Sequence, residues 1–326
     1  MFDASFIAST MGIPKSRYHP SMSRSTFDRR QFLSLAVAAT AASALPAWAK
    51  TPPASFDFLF ITDCHTQPEL DAVNGTRMAM HRAKEVRADF AIQGGDHVFD
   101  ALGVRKSRAT SLFDLYAKTE QDLGLKVHHV IGNHDCFGVF PDSEASTSDP
   151  DYGKKMFADR FGPTWHSFDH KGHHFIILDS IGITPERNYE ARIDADQLAW
   201  LEKDLKAQPA GTPIIVSTHI PLVTAVPSYT VAAPNAKAPY FVNGPAAIKL
   251  FEGHNVIGVL QGHTHVNERV EWHGIPYITS GAVCGNWWKG TRLGAPEGFT
   301  VVNIANGKLT TRYQPSGFKT IAPDNT

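Results

Sequence analysis

Three observations predict an α/β fold for this chain: five apolar runs, helical patterns between them, and polar residues that end each run. The runs are FDFLFIT, FAIQG, VHHVI, PIIVST and VIGVLQ. Their continuous apolar character is typical of strands buried on both faces of a sheet. Because the carboxyl ends of such strands meet along one crevice, we expect the polar clusters to lie close together.

The first half of the chain predicts alternating strands and helices. Strands are expected at about 56–62, 90–94 and 126–131, with helices near 75–88 and 108–122 between them. In the second helix, apolar residues recur near helical spacing. This alternation supports the α/β class.

The second half predicts a hairpin, two helices and a set of closing strands. The hairpin spans about 166–179 and turns near Lys171-Gly172, and the helices lie near 194–207 and 244–252. Four strand-like segments then close the chain, namely NERVEWH, IPYITSG, FTVVNI and KLTTRYQ.

Two long irregular segments separate these elements. Residues 137–155 are rich in Ser, Asp, Pro and Gly, and residues 221–242 contain four prolines that block regular structure. Long loops are uncommon in compact domains and are often functional. Each follows a polar cluster directly, so both are candidates for walls of a substrate pocket. Plain surface insertions are the alternative.

The N-terminus, residues 1–49, resembles a twin-arginine signal peptide. Arg29-Arg30 precedes an Ala-rich apolar run, and Ala47-Trp48-Ala49 supplies small residues around a cleavage position. The run is too short for a stable membrane span. The expected organisation is therefore an export signal followed by a single catalytic domain over residues 50–326, located in the periplasm or secreted. An uncleaved membrane anchor and a disordered N-terminus are the alternatives.

Charge and cysteine content argue against two classes of protein. The first 49 residues carry a net charge of +3, so the whole-chain charge of −1 leaves −4 on the expected mature protein. Without a basic stripe, a nucleic-acid polymer is not an expected partner. The chain has three cysteines, Cys64, Cys136 and Cys284. An odd number of cysteines argues against a disulfide scaffold. Cys64 and Cys136 adjoin polar clusters, where small buried residues are favoured over soft metal ligands; a disulfide between them is also open.

The polar clusters contain the ligands of a two-metal site. They are Asp63-Cys64-His65, Gly95-Asp96, Gly132-Asn133-His134-Asp135, Thr218-His219 and Gly262-His263-Thr264-His265. Carboxylate, amide and imidazole groups suit divalent or trivalent first-row ions such as Mn, Fe, Zn or Co. Asp96 stands alone in its cluster and is the candidate bridging carboxylate. The two-residue spacing within the first and last clusters lets both side chains of each pair point to one side.

The set of motifs D-x-H, G-D, G-N-H-D, H and G-H-x-H resembles the calcineurin-like metallophosphoesterase superfamily. The resemblance covers residues 56 to about 281 and implies a four-layer α/β/β/α sandwich with a dinuclear metal centre. By the same resemblance, one metal ion has three ligands of its own and the second has three others, while Asp96 binds both. The ligands of the first are Asp63, His65 and His265, and those of the second are Asn133, His219 and His263.

The resemblance also implies catalytic roles within the third motif. His134 is expected to lie over the phosphate, stabilise its developing charge and help to protonate the leaving group. Asp135 is expected to position the loop or that imidazole. The nucleophile would be a hydroxide that bridges the metals.

Departures from the superfamily's other branches narrow the expected substrate. In protein serine/threonine phosphatases of the superfamily, an arginine follows the G-D motif, whereas His97-Val98-Phe99-Asp100 follow it here. Purple acid phosphatases lack histidine in the first motif, whereas this chain has His65 there. The pattern is most similar to the branch that contains phosphodiesterases.

Four further residues are candidate substrate contacts. His97 adjoins Asp96 and could reach the pocket. Trp287 and Trp288 with Lys289 could stack on a base or sugar and meet a phosphate. The alternative for the tryptophans is a packed hydrophobic corner. Other histidines on strands and turns are interpreted as ordinary surface or core residues.

The sequence therefore predicts an exported dinuclear-metal phosphoesterase that hydrolyses small phosphodiesters. A phosphate-scavenging phosphomonoesterase is the alternative enzyme, and a catalytically silent metal-binding envelope protein is the alternative class. The expected partners are a small phosphorylated substrate and the twin-arginine export machinery. The sequence does not determine the oligomeric state.

Overall fold

Two mixed β-sheets pack face to face in the computed structural model, which describes residues 54–230 and 241–324. The predicted signal peptide lies outside the described residues. The strands are β1 (Phe56–Ile61), β2 (Ala91–Gln93), β3 (Val127–His129), β4 (His166–His170), β5 (His173–Ile177), β6 (Ile181–Ile183), β7 (Tyr189–Ala191), β8 (Ile214–Ser217), β9 (Val256–Gln261), β10 (Glu268–Trp272), β11 (Ile275–Thr279), β12 (Gly298–Ala305) and β13 (Lys308–Pro315). The helices are α1 (Ala72–Lys84), α2 (Lys106–Glu120), α3 (Lys155–Phe161), α4 (Ala195–Ala207), α5 (Val226–Tyr229) and α6 (Gly244–Leu250).

The first sheet has the strand order β13-β12-β1-β2-β3, and the second has the order β10-β11-β9-β8-β5-β4. Strands β1, β2 and β3 pair in parallel, as do β5, β8, β9 and β11. Antiparallel strands complete both sheets. The parallel strands of each sheet therefore present their carboxyl ends at one edge, where the polar clusters follow.

Strand β1 shows how the sequence fills two core layers. Phe58 and Phe60 point toward the second sheet, whereas Leu59 and Ile61 point toward the helices that cover the first. This alternation follows from the two-residue period of a strand. Between the sheets, Phe58 stacks on Phe90 with ring centroids 5.1 Å apart. Both faces of the strand are buried, as its continuous apolar character predicts.

Helices cover the outer face of each sheet. Residues of α1, α2 and α3 pack on the first sheet in one core cluster, and residues of α4 and α6 pack on the second in another. In α4, Leu201 and Leu205 lie four residues apart and are buried on the same face. The predicted four-layer α/β/β/α sandwich is therefore confirmed.

The observed helices and strands differ from the predicted ones where the local sequence pattern is weak. The predicted hairpin and its turn at Lys171-Gly172 are confirmed, and α4 begins within a residue of its expected start. Helix α1 begins earlier than expected, after a left-handed turn at Leu70 and Asp71. The short elements α3, β6 and β7 were not predicted, because three to seven residues hold too few turns or alternations to show a period.

The two predicted loops are largely irregular in the described residues. A 3₁₀ turn at Pro141–Ser143 interrupts the first. The second contains the four-residue helix α5, and residues 231–240 lie outside the described residues. Within 54–230 and 241–324, no helix is long and apolar enough to cross a membrane.

Candidate metal centre

Left-handed backbone turns present the polar clusters at the strand ends. Asp63, His65, Asp96, His263 and His265 have φ values between 41° and 70°. Residues other than glycine seldom adopt this region, and such strain costs on the order of 1–3 kcal/mol per residue. Strain of this kind concentrates where a side chain must be aimed at a functional position. Its occurrence in three separate clusters marks this edge of the sandwich as a site.

Asp63, His65 and His265 lie together with Asp96, the candidate bridging carboxylate. These four side chains form a first group of potential metal ligands, called here the first donor group. His265 Nε2 lies 3.2 Å from Asp63 Oδ1 and 3.2 Å from His65 Nε2. His65 Nε2 in turn lies 3.4 Å from Asp96 Oδ2. All four side chains are almost fully buried. His65 and His265 are 200 residues apart in the sequence, and the packing of the two sheets brings them together.

A second donor group forms on the other side of Asp96. His219 Nε2 lies 3.2 Å from Asp96 Oδ2 and 3.2 Å from Asn133 Oδ1. Asp96, His219 and His263 offer ligand atoms that all lie within 4.8 Å of one another. Asp96 Oδ2 thus faces an imidazole of each group. The structure therefore brings together all seven residues that the sequence predicted as metal ligands, in two groups that share one carboxylate.

Backbone contacts orient the imidazoles toward the centre. His219 Nδ1 contacts the Gly94 carbonyl and His265 Nδ1 contacts the Gly285 carbonyl, each at 2.8 Å. A carbonyl accepts a hydrogen bond, so each Nδ1 donates its proton to the backbone and each Nε2 is the nitrogen that faces the site. His263 Nδ1 is buried and has no hydrogen-bond partner in the described part of the chain. Two first-row metal ions fit this set of donors, because they satisfy buried nitrogen and oxygen atoms that face one another.

The two carboxylates remain ionised in spite of burial. Burial disfavours the charged form of Asp63, but His265 and His219 outweigh it and lower the pKa of Asp63 to about 2. For Asp96, burial is likewise outweighed by His219 and His134, and the pKa falls well below its usual value. Burial and the neighbouring His219 lower the pKa of His263 to about 4, which leaves a neutral imidazole at neutral pH. Ionised oxygens and a neutral imidazole are the forms that bind cations.

His134 lies beside these groups and has a carboxylate neighbour that the sequence did not reveal. Its Nδ1 lies 3.6 Å from Asp100 Oδ1, and its backbone N–H donates to Asp96 Oδ1 at 2.8 Å. Burial opposes protonation, but the Asp96 and Asp100 carboxylates outweigh it and raise the pKa of His134. Asp100 follows Asp96 by four residues. No motif marked it, because only the folded loop brings its carboxylate toward the imidazole.

Asp135 lies beneath the site and holds the loops that carry the donors. Its Oδ2 accepts hydrogen bonds from the backbone N–H groups of Gly132 and Asp96, and its Oδ1 accepts one from that of His97, all at 2.9 Å. These bonds hold the loops in place, so Asp135 is a positioning residue. Positioning the loop is one of the two roles expected for it from the sequence. Asp135 has no exposed surface, so the structure keeps its carboxylate away from solvent and substrate.

The structure places His97 in the core. Its Nδ1 contacts Asp135 Oδ2 at 2.8 Å and its Nε2 contacts His129 Nδ1 at 3.0 Å. The ring stacks on Phe161 with centroids 4.8 Å apart and has no exposed surface. Both nitrogens are already used, so the expected substrate contact is wrong. The side chain points away from the site, whereas that of its neighbour Asp96 points toward it.

The paired tryptophans separate into a core residue and a site residue. Trp288 is fully buried and its indole N–H donates to the His65 carbonyl at 3.0 Å. Trp287 is partly exposed, and its ring lies 4.1 Å from that of His65 and 5.2 Å from that of His134 between centroids. Trp288 therefore follows the packed-corner alternative and is not a substrate contact, whereas Trp287 lies beside the site and stays a candidate for one. The side chain of Lys289 is exposed.

The three cysteines are free and fully buried. Burial raises the pKa of the Cys64 and Cys136 thiols well above its usual value. A neutral thiol is a poor metal ligand, so the interpretation as small buried residues agrees with the structure. Cys284 Sγ lies 3.6 Å from His265 Nδ1, behind the donor group.

Comparison with known proteins agrees with this geometry. The calcineurin-like phosphoesterase family matches residues 56–267, and the chain belongs to this family. The family and the donor groups together define a metal-dependent phosphoester hydrolase. No curated protein matches the sequence.

Two solved structures show the shared fold. One is a dimetal phosphatase from Danio rerio, with 16% identity and a TM-score of 0.57 over 80% of this chain and 96% of that one. The other is a purple acid phosphatase from yellow lupin, with 13% identity and a TM-score of 0.53 over 82% of this chain and 53% of that one. At these identities the likeness concerns the fold.

Proposed function

We propose that this protein is an exported phosphoesterase that hydrolyses small phosphodiesters with two first-row metal ions. The observation that carries the proposal is the pair of donor groups on either side of Asp96 Oδ2. The ligands would be Asp63, His65 and His265 for one ion and Asn133, His219 and His263 for the other. Two ions held in this way would polarise the phosphoryl oxygens and lower the pKa of bound water.

His134 provides the acid that such a reaction needs. The nearby Asp96 and Asp100 carboxylates favour the protonated imidazole against the effect of burial. Because Nδ1 faces Asp100, Nε2 is the nitrogen that can donate a proton to the leaving oxygen. The Asp96 contact to the His134 backbone N–H keeps the ring next to the donor groups.

The charge around the site favours a diester over a monoester. In residues 54–230 and 241–324, no lysine or arginine forms an ion pair with Asp63, Asp96 or Asp100. A phosphomonoester carries close to two negative charges at neutral pH, and enzymes usually bind such dianions with arginine or lysine. A phosphodiester carries one charge and needs less compensation. The absence of arginine after the G-D motif supports the same preference.

Export is the second part of the proposal. It rests on Arg29-Arg30, the apolar run after it and Ala47-Trp48-Ala49. The buried cysteines form no disulfide in the described chain, which fits the export of a protein that has already folded. Localisation of a tagged full-length protein, compared with a variant in which Lys replaces both arginines, tests this part. Cytoplasmic retention of both proteins would refute it.

Hydrolysis of an activated aryl phosphodiester and of its monoester by the metal-loaded protein tests the activity. We expect the diester to be hydrolysed with the higher kcat/KM. Asn133→Ala is the control, because it removes one donor and should lower turnover by orders of magnitude. A monoester preference would replace the proposal with a scavenging phosphatase. If neither substrate is hydrolysed, a silent metal-binding protein becomes the better description.

A further inference from the structure

The segment Cys284–Gly290 holds one tryptophan against the donor groups. Trp287 and Trp288 have φ values of 56° and 67°, in the left-handed region that tryptophan seldom adopts. The Trp288 N–H donates to the Cys284 carbonyl at 2.7 Å, and the Asn286 N–H donates to the Gly290 carbonyl at 2.7 Å. The segment is thus a tight turn whose strain is maintained by its own hydrogen bonds.

Trp288 fastens this turn to the core. Its indole N–H binds the His65 carbonyl, and its ring lies against Gly75 of α1, where an added Cβ would come within 2.1 Å of it. Glycine at this position allows the ring to enter the core. A core tryptophan therefore fixes the position of its partly exposed neighbour.

Trp287 stands at the edge of the first donor group together with a second aromatic ring. Its ring centroid lies 5.2 Å from that of His265 and 5.8 Å from that of Phe99. Phe99 is also partly exposed, and its carbonyl lies 3.4 Å from His65 Nδ1. Trp287, Phe99 and His134 thus form an aromatic wall on the side of the site where His134 lies.

We propose that this aromatic wall binds a planar aromatic group on the organic arm of the substrate, so that aryl or nucleoside phosphoesters are the preferred class. The inference rests on the proposed function. A phosphate held by the donor groups must extend its ester arm past their rim, and on this side the rim consists of aromatic faces. Tryptophan binds planar rings by stacking and has no charge to select a particular one.

Direct binding to the metal-loaded protein tests the wall without requiring turnover. Calorimetry would compare phenylphosphonate with methylphosphonate, and adenosine 5′-monophosphate with ribose 5-phosphate. Each pair shares its anionic group and differs in the aromatic ring. We expect the aromatic member of at least one pair to bind about 5- to 150-fold more tightly, the range that stacking on an aromatic side chain gives. The first pair reports an aryl arm and the second a nucleoside arm.

Variants then assign this preference to Trp287. Trp287→Ala should reduce the preference to within about threefold of unity and leave methylphosphonate binding and metal content unchanged. Trp287→Phe should restore part of the preference, because it keeps an aromatic face. Trp272→Ala is the matched control, since Trp272 lies on β10 with 52% of its surface exposed and should change nothing.

Three results would overturn the inference. The first is equal affinity within both pairs for the unchanged protein. The second is a preference for the aromatic member that survives Trp287→Ala. The third is an equal loss of affinity for all four ligands in Trp287→Ala. The last result would assign Trp287 to the support of His65. Failure of the proposed function has a different signature, because methylphosphonate and ribose 5-phosphate would then not bind in a metal-dependent manner.

Discussion

Histidine and aspartate are abundant at both ends of the second sheet, but only one end is a site. At the carboxyl ends of β8 and β9, His219 and His265 each lie 3.2 Å from a carboxylate, and His265 Nε2 also lies 3.2 Å from Nε2 of His65, which follows β1. At the opposite end, His174 on β5 contacts Asp169 at 2.7 Å and Asp204 at 2.8 Å, and His170 contacts Asp89 at 2.7 Å. The residue types are the same and their arrangement differs.

The difference lies in whether several imidazoles face one shared carboxylate or one imidazole has carboxylates of its own. His174 has a carboxylate at each ring nitrogen, so the pairs at that end complete their own interactions. At the metal centre, donors from all five clusters converge, and imidazoles from two groups face Asp96 Oδ2. Buried donors that face one another in this way are unfavourable unless a cation binds between them. Convergence of several donors on a shared carboxylate, and not histidine content, therefore distinguishes a metal site.

The strongest test of this distinction is Asp96→Asn. The substitution keeps the shape of the side chain but removes the charge that faces both donor groups. We expect turnover of an aryl phosphodiester to fall beyond the ~10²–10³-fold that loss of one transition-state contact costs, with loss of bound metal by elemental analysis. A variant with full metal content and activity would show that Asp96 is not shared by two ions.

His134→Ala should have a smaller effect that depends on the leaving group. We expect kcat to fall on the order of 100-fold for a diester with a poor leaving group and far less for a nitrophenyl ester. The reason is that a good leaving group departs without a proton. Metal content, measured alongside, should not change. Equal losses on both substrates would remove the acid role.

Asp135→Asn separates positioning from catalysis. The amide cannot accept all the backbone N–H bonds that the two oxygens accept from Gly132, Asp96 and His97. We expect unfolding in urea to show a loss of about 1–3 kcal/mol and metal titration to show a ~10–100-fold lower affinity. Saturating metal should then restore most of the activity. Lost activity with normal metal affinity would contradict the positioning role.

His174→Gln should have the smallest effect and should not change activity. Burial lowers the pKa of His174, but the hydrogen bonds to Asp204 and Asp169 outweigh it and raise the pKa above its usual value. A raised pKa in the folded protein stabilises it fully below the unfolded pKa of about 6.5. This contribution is lost as pH rises through the folded-state pKa.

Unfolding in urea at several pH values measures this contribution. The difference between the unchanged protein and His174→Gln should be largest at about pH 5 and smaller at about pH 9. Solvent screens the contact with Asp169, which is 78% exposed, so most of the difference should come from the contact with Asp204, which is 16% exposed. A difference that grows with pH would reverse the sign of this argument.

The sequence by itself determined the long elements and the donor types. Strand β1 could be located because five of its six residues are apolar, four of them in succession, and Asp63 and His65 are marked because they follow it. The same reasoning applies to His219 after β8 and His263 after β9. These features are local, so a short window of residues contains the whole signal.

Only the tertiary structure decided which side chains of each cluster face the site. His97 and Asp96 are neighbours, yet one lies in the core and the other between the donor groups. Trp287 and Trp288 divide in the same way. The direction of each side chain depends on backbone turns with positive φ and on the space left by distant residues such as Gly75. Those turns are strained conformations that packing imposes, so no local pattern predicts them.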